Sequence, residues 1–505
     1  MDLAAAGERQ PLLPPHVRDD FAAGEPGTYS GTTTATNTED GLSDILDHKL
    51  DEEITWQSGA WLIASHSLPL IPTYLLHYAF QMTTIIAAAS QLTTEELAGV
   101  SLGMMTSNIV GFAVLEGLAT ALDTLCSQAY GSGRLEMVGL HTVRVTVLSN
   151  IIAIPIGLIW AFSPELLGHL VPQADLALNA GTFLRWSIIG IPGYATFETS
   201  KRFMQAQNNF TAGLYVLLVC LPINIFLNWL LVYHLQLGIP GAALTAAITN
   251  FLRPVFLAVY ALWWDPSSLK CWPRHLTIHA VFSEWGAISR LAAPATLMTL
   301  SEWMAFEVLQ ISSSYLSEAA LAAQTFAGTG ANLAWHIPFA ASVATSTRLG
   351  QMIGAGQLEM AKTVSWWYLI IFVLIGIINM GLEAGAVAWS GYYLTDDPVV
   401  RSAALATIPW AALFCFWDSV ATWSHGTVRG LGWQNIGSFL SVVITYGFGV
   451  PLALVLELGA PHLGLRGLWI GLGSAIGLLT VVEGSVVMSR DWRKAYQEAQ
   501  DRQEE

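Results

Sequence analysis

Gly131-Ser132-Gly133-Arg134-Leu135-Glu136-Met137 recurs as Gly354-Ala355-Gly356-Gln357-Leu358-Glu359-Met360, 223 residues further along the chain. The match extends backwards: residues 118–137 and 341–360 agree at eight of twenty positions without a gap, Thr124/Thr347 and Gln128/Gln351 among them. Hydrophobic segments flank both copies, so the repeat marks a duplicated membrane bundle with two equivalent halves. A second echo agrees, since Leu237-Gly238-x-x-Gly241 and Leu463-Gly464-x-x-Gly467 each open the last apolar segment of their half. Gly131, Gly133, Gly354 and Gly356 are expected to shape tight turns between spans, because glycine accepts the positive φ that other residues resist. Their expected role is geometric.

Composition points the same way. Of 505 residues, 53% are hydrophobic and only 11% charged, and many stretches of 18 or more residues are largely apolar, which reads as polytopic. The net charge of -16 does not imply a basic partner, because the first 57 residues hold 12 acidic against 3 basic side chains. That segment, with Pro11, Pro14, Pro15 and Pro26, is expected to be a disordered acidic tail (1–57), which argues against a nucleic-acid partner. No basic-then-apolar opening of a cleavable signal is present, so the first hydrophobic segment, from near Trp61, is expected to act as a signal anchor. Cys126, Cys220, Cys271 and Cys415 lack CxxC spacing and read as packing residues, with no metal site, cofactor or disulfide framework.

Hydropathy suggests twelve spans, near 60–89, 97–126, 138–162, 178–200, 211–234, 240–264, 286–314, 318–346, 363–391, 402–424, 436–458 and 463–488. Basic residues, among them Arg134, Lys201, Arg202, Lys270, Arg274, Arg348, Lys362, Arg429, Arg490, Arg493 and Lys494, fall by loops or tails of one side. The positive-inside rule then places both termini in the cytoplasm. The expected organisation is a six-helix lobe over 58–264, a cytoplasmic connection over 265–285, a second six-helix lobe over 286–488 and a tail over 489–505. Six being even, the halves are related by an axis along the membrane normal.

Carboxylates inside spans are costly, about 2.5–3.5 kcal/mol on insertion scales, and persist when paired, wet or functional. Glu302-Trp303-Met304-Ala305-Phe306-Glu307 lies in the seventh span and Trp417-Asp418-Ser419 in the tenth. Glu302 and Asp418 are the candidates for loading and releasing a proton in a shared cavity. The bland reading of each is a hydrogen-bonded structural acid. Glu307 follows Glu302 by five residues, which turns it some 140° away on a helix, and supports it at most. Glu383 and Glu483 read as structural, Asp123 as securing packing, and Glu198 before Lys201 and Arg202 as an interfacial ion-pair residue. His66, His77 and His336 lie in spans without the spacing of a metal site. Twelve of twenty tryptophans lie from Trp285 onward. Trp303, Trp335, Trp410 and Trp417, with Gln324, are candidates for lining a cavity that takes organic cations; interfacial anchoring is the alternative for such rings.

Gly117 to Gly131, Gly-Leu-Ala-Thr-Ala-Leu-Asp-Thr-Leu-Cys-Ser-Gln-Ala-Tyr-Gly, resembles the second-helix signature of the multidrug and toxic compound extrusion (MATE) family, eukaryotic branch. Glu302-Trp303-x-Ala305-Phe306-Glu307 resembles its seventh-helix motif. Asp418-Ser419 with Val428-Arg429-Gly430-x-Gly432-x-Gln434 resembles its tenth helix and next loop. With the duplicated Gly-x-Gly loop, the resemblance covers about residues 57–488. It implies an all-α integral membrane fold, twelve transmembrane helices in two pseudo-symmetric six-helix lobes. It also implies proton-coupled antiport of amphipathic organic compounds by rocking of the lobes, with no enzymatic activity. The family's proton-linked acids carry over to Glu302 and Asp418, with Glu307 as the second seventh-helix acid. Thr329 stands where animal members carry a further acid, and residues 60–89 lack the aspartate of some prokaryotic members, so coupling is expected in the C-terminal lobe. The expected partners are a small organic substrate, the proton and the bilayer, with the monomer as the working unit.

Other readings are a lipid-linked glycan flippase of the same superfamily, which calls for a more cationic cavity, a polytopic enzyme, for which no His, Asp or Ser cluster at one membrane face speaks, and a sensor, which would not need a duplicated bundle. A major-facilitator bundle would show a basic Gly-Asp-Arg-Gly-Arg loop, absent here. Glu8-Arg9-Gln10-Pro11-Leu12-Leu13 fits an acidic dileucine address, so the expected location is the plasma membrane or a vacuolar membrane.

Overall fold

The structure, a computed structural model, describes residues 56–170, 173–313, 315–459 and 462–504. The expected tail and its dileucine pattern lie outside the described residues, apart from Trp56 and Gln57.

Among the described residues the regular structure is helical throughout. Six long helices make the first half: α1 (Trp56–Gln91), α2 (Thr94–Gly131), α3 (Leu135–Ala161), α4 (174–206), α5 (Ala212–His234) and α6 (Gly238–Trp264). Six more make the second: α7 (Trp285–Ser313), α8 (Glu318–Gly354), α9 (Leu358–Tyr393), α10 (Pro398–Leu431), α11 (Gln434–Leu458) and α12 (Leu465–Ser489). A terminal helix, α13 (Trp492–Glu504), follows. Eight of the twelve are both long and apolar enough to cross a membrane on composition alone. The other four, α1, α4, α7 and α8, are as long but more polar. Polar residues of α7 and α8 recur at the interior site described below, and those of α4 form ion pairs within the first lobe.

Local signals set the helix ends. Thr93 opens α2 with a capping box, its hydroxyl accepting from the Glu96 N–H while the Glu96 carboxylate accepts from the Thr93 N–H. Ser317 caps α8 and Asp397 caps α10, where Pro398 takes the first position, which needs no N–H. The α10 helix stops at Gly432, whose φ of 80° closes the last turn. Gly133 and Gly356 have φ of 77° and 76° in the turns that begin α3 and α9. Gly131 and Gly354 are instead helical, and both lie where two helices meet.

Pseudo-symmetry is visible in the packing. In each half the first helix packs on the fifth, the second on the third and fourth, the third on the fourth, the fourth on the sixth and the fifth on the sixth. Between halves the scheme is reciprocal: α2 packs on α7 and α1 on α8, while α2 and α8, the helices of the repeated sequence, cross each other. A Cβ placed on Gly131 would lie 2.0 Å from the Gln351 carbonyl oxygen, and one on Gly354 2.1 Å from that of Gln128, so the two backbones touch where only hydrogen fits. Each glutamine then reaches across. Gln128 Nε2 donates to the Gly430 carbonyl at the end of α10 (3.0 Å), and Gln351 Nε2 donates to the Ala206 carbonyl at the end of α4 (3.0 Å). The packing of α2 on the second half begins within 108–112; the turns before it pack on helices of its own lobe. The lobes are therefore joined at the face bearing the Gly-x-Gly turns.

Several basic residues counted as loop charges are buried. Lys201 sits 2.7 Å from Glu198 and Arg202 2.6 Å from Asp123, all four nearly without exposure. They are helix residues neutralised inside the first lobe, because an unpaired charge there would be prohibitive, and Glu198 is an interior rather than an interfacial partner. Arg144, in α3, is likewise buried and bound to Glu284, Ser283 and the Ala280 carbonyl, which ties that helix to the connection between lobes.

Candidate functional site

Helical spacing assembles a site where the lobes meet. On α10, Asp418, Thr422, His425 and Arg429 follow one another at four, three and four residues, and so share one face. On α2, Glu116, Thr120 and Asp123 repeat the spacing. A cavity lies between these stripes, lined by Glu116 and Thr120 of α2 and by Thr422, His425 and Arg429 of α10. Met298, Thr299, Glu302 and Trp303 of α7 and Trp335 and Phe339 of α8 complete it.

One wall is polar and one is aromatic. His425 Nδ1 is 3.2 Å from Glu302 Oε1, and its Nε2 is 3.1 Å from Glu483 Oε2, a carboxyl reaching in from α12. Ser424 donates to the same Glu483 oxygen at 2.6 Å. Across the cavity Trp335 stacks on Phe339 with centroids 4.2 Å apart, and Phe339 meets the Tyr74 ring of α1 edge-on at 4.9 Å. The floor, toward the joined face, is ionic: Arg429 donates to Ser342 Oγ (2.6 Å), lies 3.9 Å from Asp123 Oδ2 and rests over Phe339. Below it lies the crossing of Gln128 and Gln351. Closed on one side by that crossing, the chamber sets acids beside ring faces, both of which attract positive charge.

The sequence candidates are spread unevenly over this geometry. Glu302, Trp303 and Trp335 line the cavity. Asp418 occupies the same α10 face two turns from His425, roughly 10 Å along the axis, and is not part of the lining. Glu307 is half-buried away from the cavity. Gln324 is buried, its Oε1 accepting from Trp469 Nε1 at 3.0 Å. Trp410 is a partly exposed ring, and Trp417 packs on Phe416 and Gly477. Glu483, read from the sequence as structural, meets His425 and Ser424. Glu383 is wholly buried against Gly330, and its oxygens find no hydrogen-bond partner among the described residues. Sequence reasoning passed over His425, Arg429 and Glu116 as cavity residues, although the i, i+4, i+7, i+11 spacing from Asp418 through Arg429 was a readable signal.

Comparisons with known proteins agree with this architecture. The family profile described as MatE matches residues 69–230 and 294–455, one stretch in each half. A Saccharomyces cerevisiae protein named uncharacterized transporter YDR338C is 38% identical over 455 residues, 90% of this chain and 64% of its own length, so this chain spans under two thirds of that relative. Protein DETOXIFICATION 14 of Arabidopsis thaliana is 30% identical over 438 residues, 86% of this chain and 89% of its own. The crystal structure of the eukaryotic MATE transporter AtDTX14 superposes with a TM-score of 0.82 at 27% identity, covering 88% of this chain and 99% of the other. With the profile in both halves and a two-lobed bundle around a central chamber, the chain belongs to the MATE family of multi-pass membrane transporters, which are not enzymes.

Proposed function

We propose that the protein is a proton-coupled antiporter that exports amphipathic organic compounds, cations foremost, by rocking its two lobes about the α2–α8 crossing. The observation that carries this is the shared chamber: carboxyls from opposite lobes, Glu116 and Glu302, stand beside Trp303, Trp335 and Phe339. A proton and an organic cation compete for one acidic site, which is the simplest physical basis of exchange, and the α2–α8 crossing supports alternation by closing one face. Glu302 is the first proton site, Asp418 a second on the same α10 face, and Glu307 an accessory acid. Gly133 and Gly356 shape the turns that let each lobe move as a unit.

The orientation that fits export places the Gly-x-Gly face, both termini and the 265–285 connection in the cytoplasm, with a lobe over 58–264, another over 286–488 and the dileucine address on a cytoplasmic tail. A glycan flippase is less favoured, because the chamber's two basic side chains, His425 and Arg429, are each matched by an acid. The deciding experiment is flux of ethidium in proteoliposomes with an imposed pH gradient. Transport driven by the gradient and abolished by a protonophore is expected; transport indifferent to the gradient refutes proton coupling.

A further inference from the structure

We propose that Glu302, His425 and Glu483 form one proton-sharing unit, in which the imidazole links the cavity carboxyl to a second carboxyl sealed in the C-terminal lobe. The argument is one of counting. A neutral imidazole carries one N–H and one lone pair. Here both ring nitrogens face carboxyl oxygens, at 3.2 Å and 3.1 Å. Were both carboxyls ionised and the ring neutral, the ring's single N–H could serve only one of them, and the other carboxylate would lie beside the bare ring nitrogen at about the same distance. The arrangement therefore holds one proton more than that state. It is an imidazolium between two carboxylates, or a neutral ring beside one protonated carboxyl. These forms differ by moving a proton across one contact: an N–H bond breaks, an O–H bond forms on the adjoining oxygen, and no electron is transferred.

The surroundings give the unit a direction. The Glu302 side chain is 27% exposed, that of His425 7% and that of Glu483 0%, so protons enter from the cavity at Glu302 and reach Glu483 through the ring. Ser424 is a fixed donor to Glu483 Oε2, but Glu302 Oε1, Glu483 Oε1 and His425 Nε2 have no aligned hydrogen-bond partner among the described residues, so the proton of the unit is not replaced by donors of the lobe. Other charged groups are few. Arg429, one turn along α10, is engaged with Ser342 and Asp123; Glu116 faces the unit from α2; Asp418 lies two turns back; Glu383 of α9 is held against Gly330 of α8. Two carboxyls and one imidazole then alternate between a net charge of -1, with one shared proton, and 0, with two. The first state attracts a cation in the chamber and the second releases it. That last consequence rests on the export reading; the shared proton does not.

The test uses the full-length protein in detergent, followed by infrared spectroscopy as pH is changed. The carboxyl band that disappears in Glu302→Gln identifies Glu302. In folded, monodisperse His425→Gln and Glu483→Gln its titration midpoint is expected to move by about one pH unit or more, the mark of coupled sites. Ser424→Ala, which removes one hydroxyl from Glu483, is expected to move it less, and with Glu483→Gln it decides the matter if His425→Gln does not fold. A Glu302 band that keeps its midpoint in these variants, or that never titrates in the parent, overturns the unit. Ethidium flux separates the two readings: gradient-driven flux with unmoved midpoints refutes the unit alone, whereas gradient-independent flux with moved midpoints refutes the export reading and leaves the unit standing.

Discussion

Replacing Gly354 with alanine tests whether the α2–α8 crossing is the closed gate of one lobe arrangement. The new Cβ would lie 2.1 Å from the Gln128 carbonyl oxygen, 2.8 Å from its carbon and 2.9 Å from its Cα. All three are backbone atoms of a helix and cannot swing aside as a flexible side chain would. Ordinary contact begins near 3.4 Å, so the helices must part by about 1.3 Å at this point. Overpacking of this kind costs about 1–3 kcal/mol. Because it acts only while the crossing is closed, it shifts the balance between closed and open arrangements by about 5–150-fold. Gly131→Ala, which meets the Gln351 carbonyl at 2.0 Å, should do the same. Gly133→Ala provides the contrast: nothing lies within 4 Å of its Cβ, and the strain of φ 77°, about 1 kcal/mol, is present in both arrangements. Spin labels at Glu136→Cys and Glu359→Cys, exposed and equivalent by the repeat, report the separation by double electron–electron resonance in nanodiscs. The four native cysteines are buried, and burial pushes the Cys271 thiol, outside the spans, up to about 12, so background labelling is small. A longer-distance population is expected in Gly131→Ala and Gly354→Ala but not in Gly133→Ala. Parent-like distances in both folded crossing variants would refute the gate.

Glu302→Gln should abolish gradient-driven ethidium flux while Glu307→Gln keeps most of it, since only Glu302 lines the chamber; equal losses in the two would contradict the assignment. Asp123→Asn removes the ionic partner of Arg202, itself 1% exposed, and should destabilise by about 3–5 kcal/mol, read as a lower thermal unfolding temperature of the purified protein. An unchanged temperature would mean that Arg202 finds another partner. Trp335→Ala deletes the ring stacked on Phe339 and should raise the KM for ethidium by about 2–30-fold, the range of a cation–π contact, with little change in kcat. A KM that does not move would place the cation elsewhere.

The twelve spans were readable because period and length are local properties: about 20 apolar residues announce a crossing whatever they pack against. The duplicated Gly-x-Gly stretch carried further, since residues equivalent in sequence proved equivalent in contacts, Gln128 with Gly430 and Gln351 with Ala206. What stayed hidden was pairing between helices distant in the chain. Lys201 and Arg202 look like loop charges until Glu198 and Asp123 are seen beside them, and Glu483 looks isolated until α10 brings His425 to it. Gly131 shows a second limit: a glycine needed for close approach and one needed for positive φ, as at Gly133, are the same letter two residues apart.

The two lobes share one packing scheme yet distribute charge differently, and that difference bears on where coupling resides. In the N-terminal lobe the buried acids are matched: Glu198 by Lys201, Asp123 by Arg202. A paired acid exchanges protons poorly, because the fixed cation stays when the proton leaves or arrives. In the C-terminal lobe Glu302 and Glu483 share a single imidazole, and Glu383 has no hydrogen-bond partner among the described residues. Here the basic side chains are fewer than the acids, and on the export reading proposed above mobile protons or a bound cation supply the remainder. The symmetric scaffold supplies the crossing and the chamber; the unequal neutralisation of its halves is what the export reading uses to place coupling on one side. Glu116 is the exception that locates the boundary, an acid of the first lobe facing the second across the cavity. It stands at the seam between the lobes, where, on the export reading, a substrate touches both at once and its departure frees them to move.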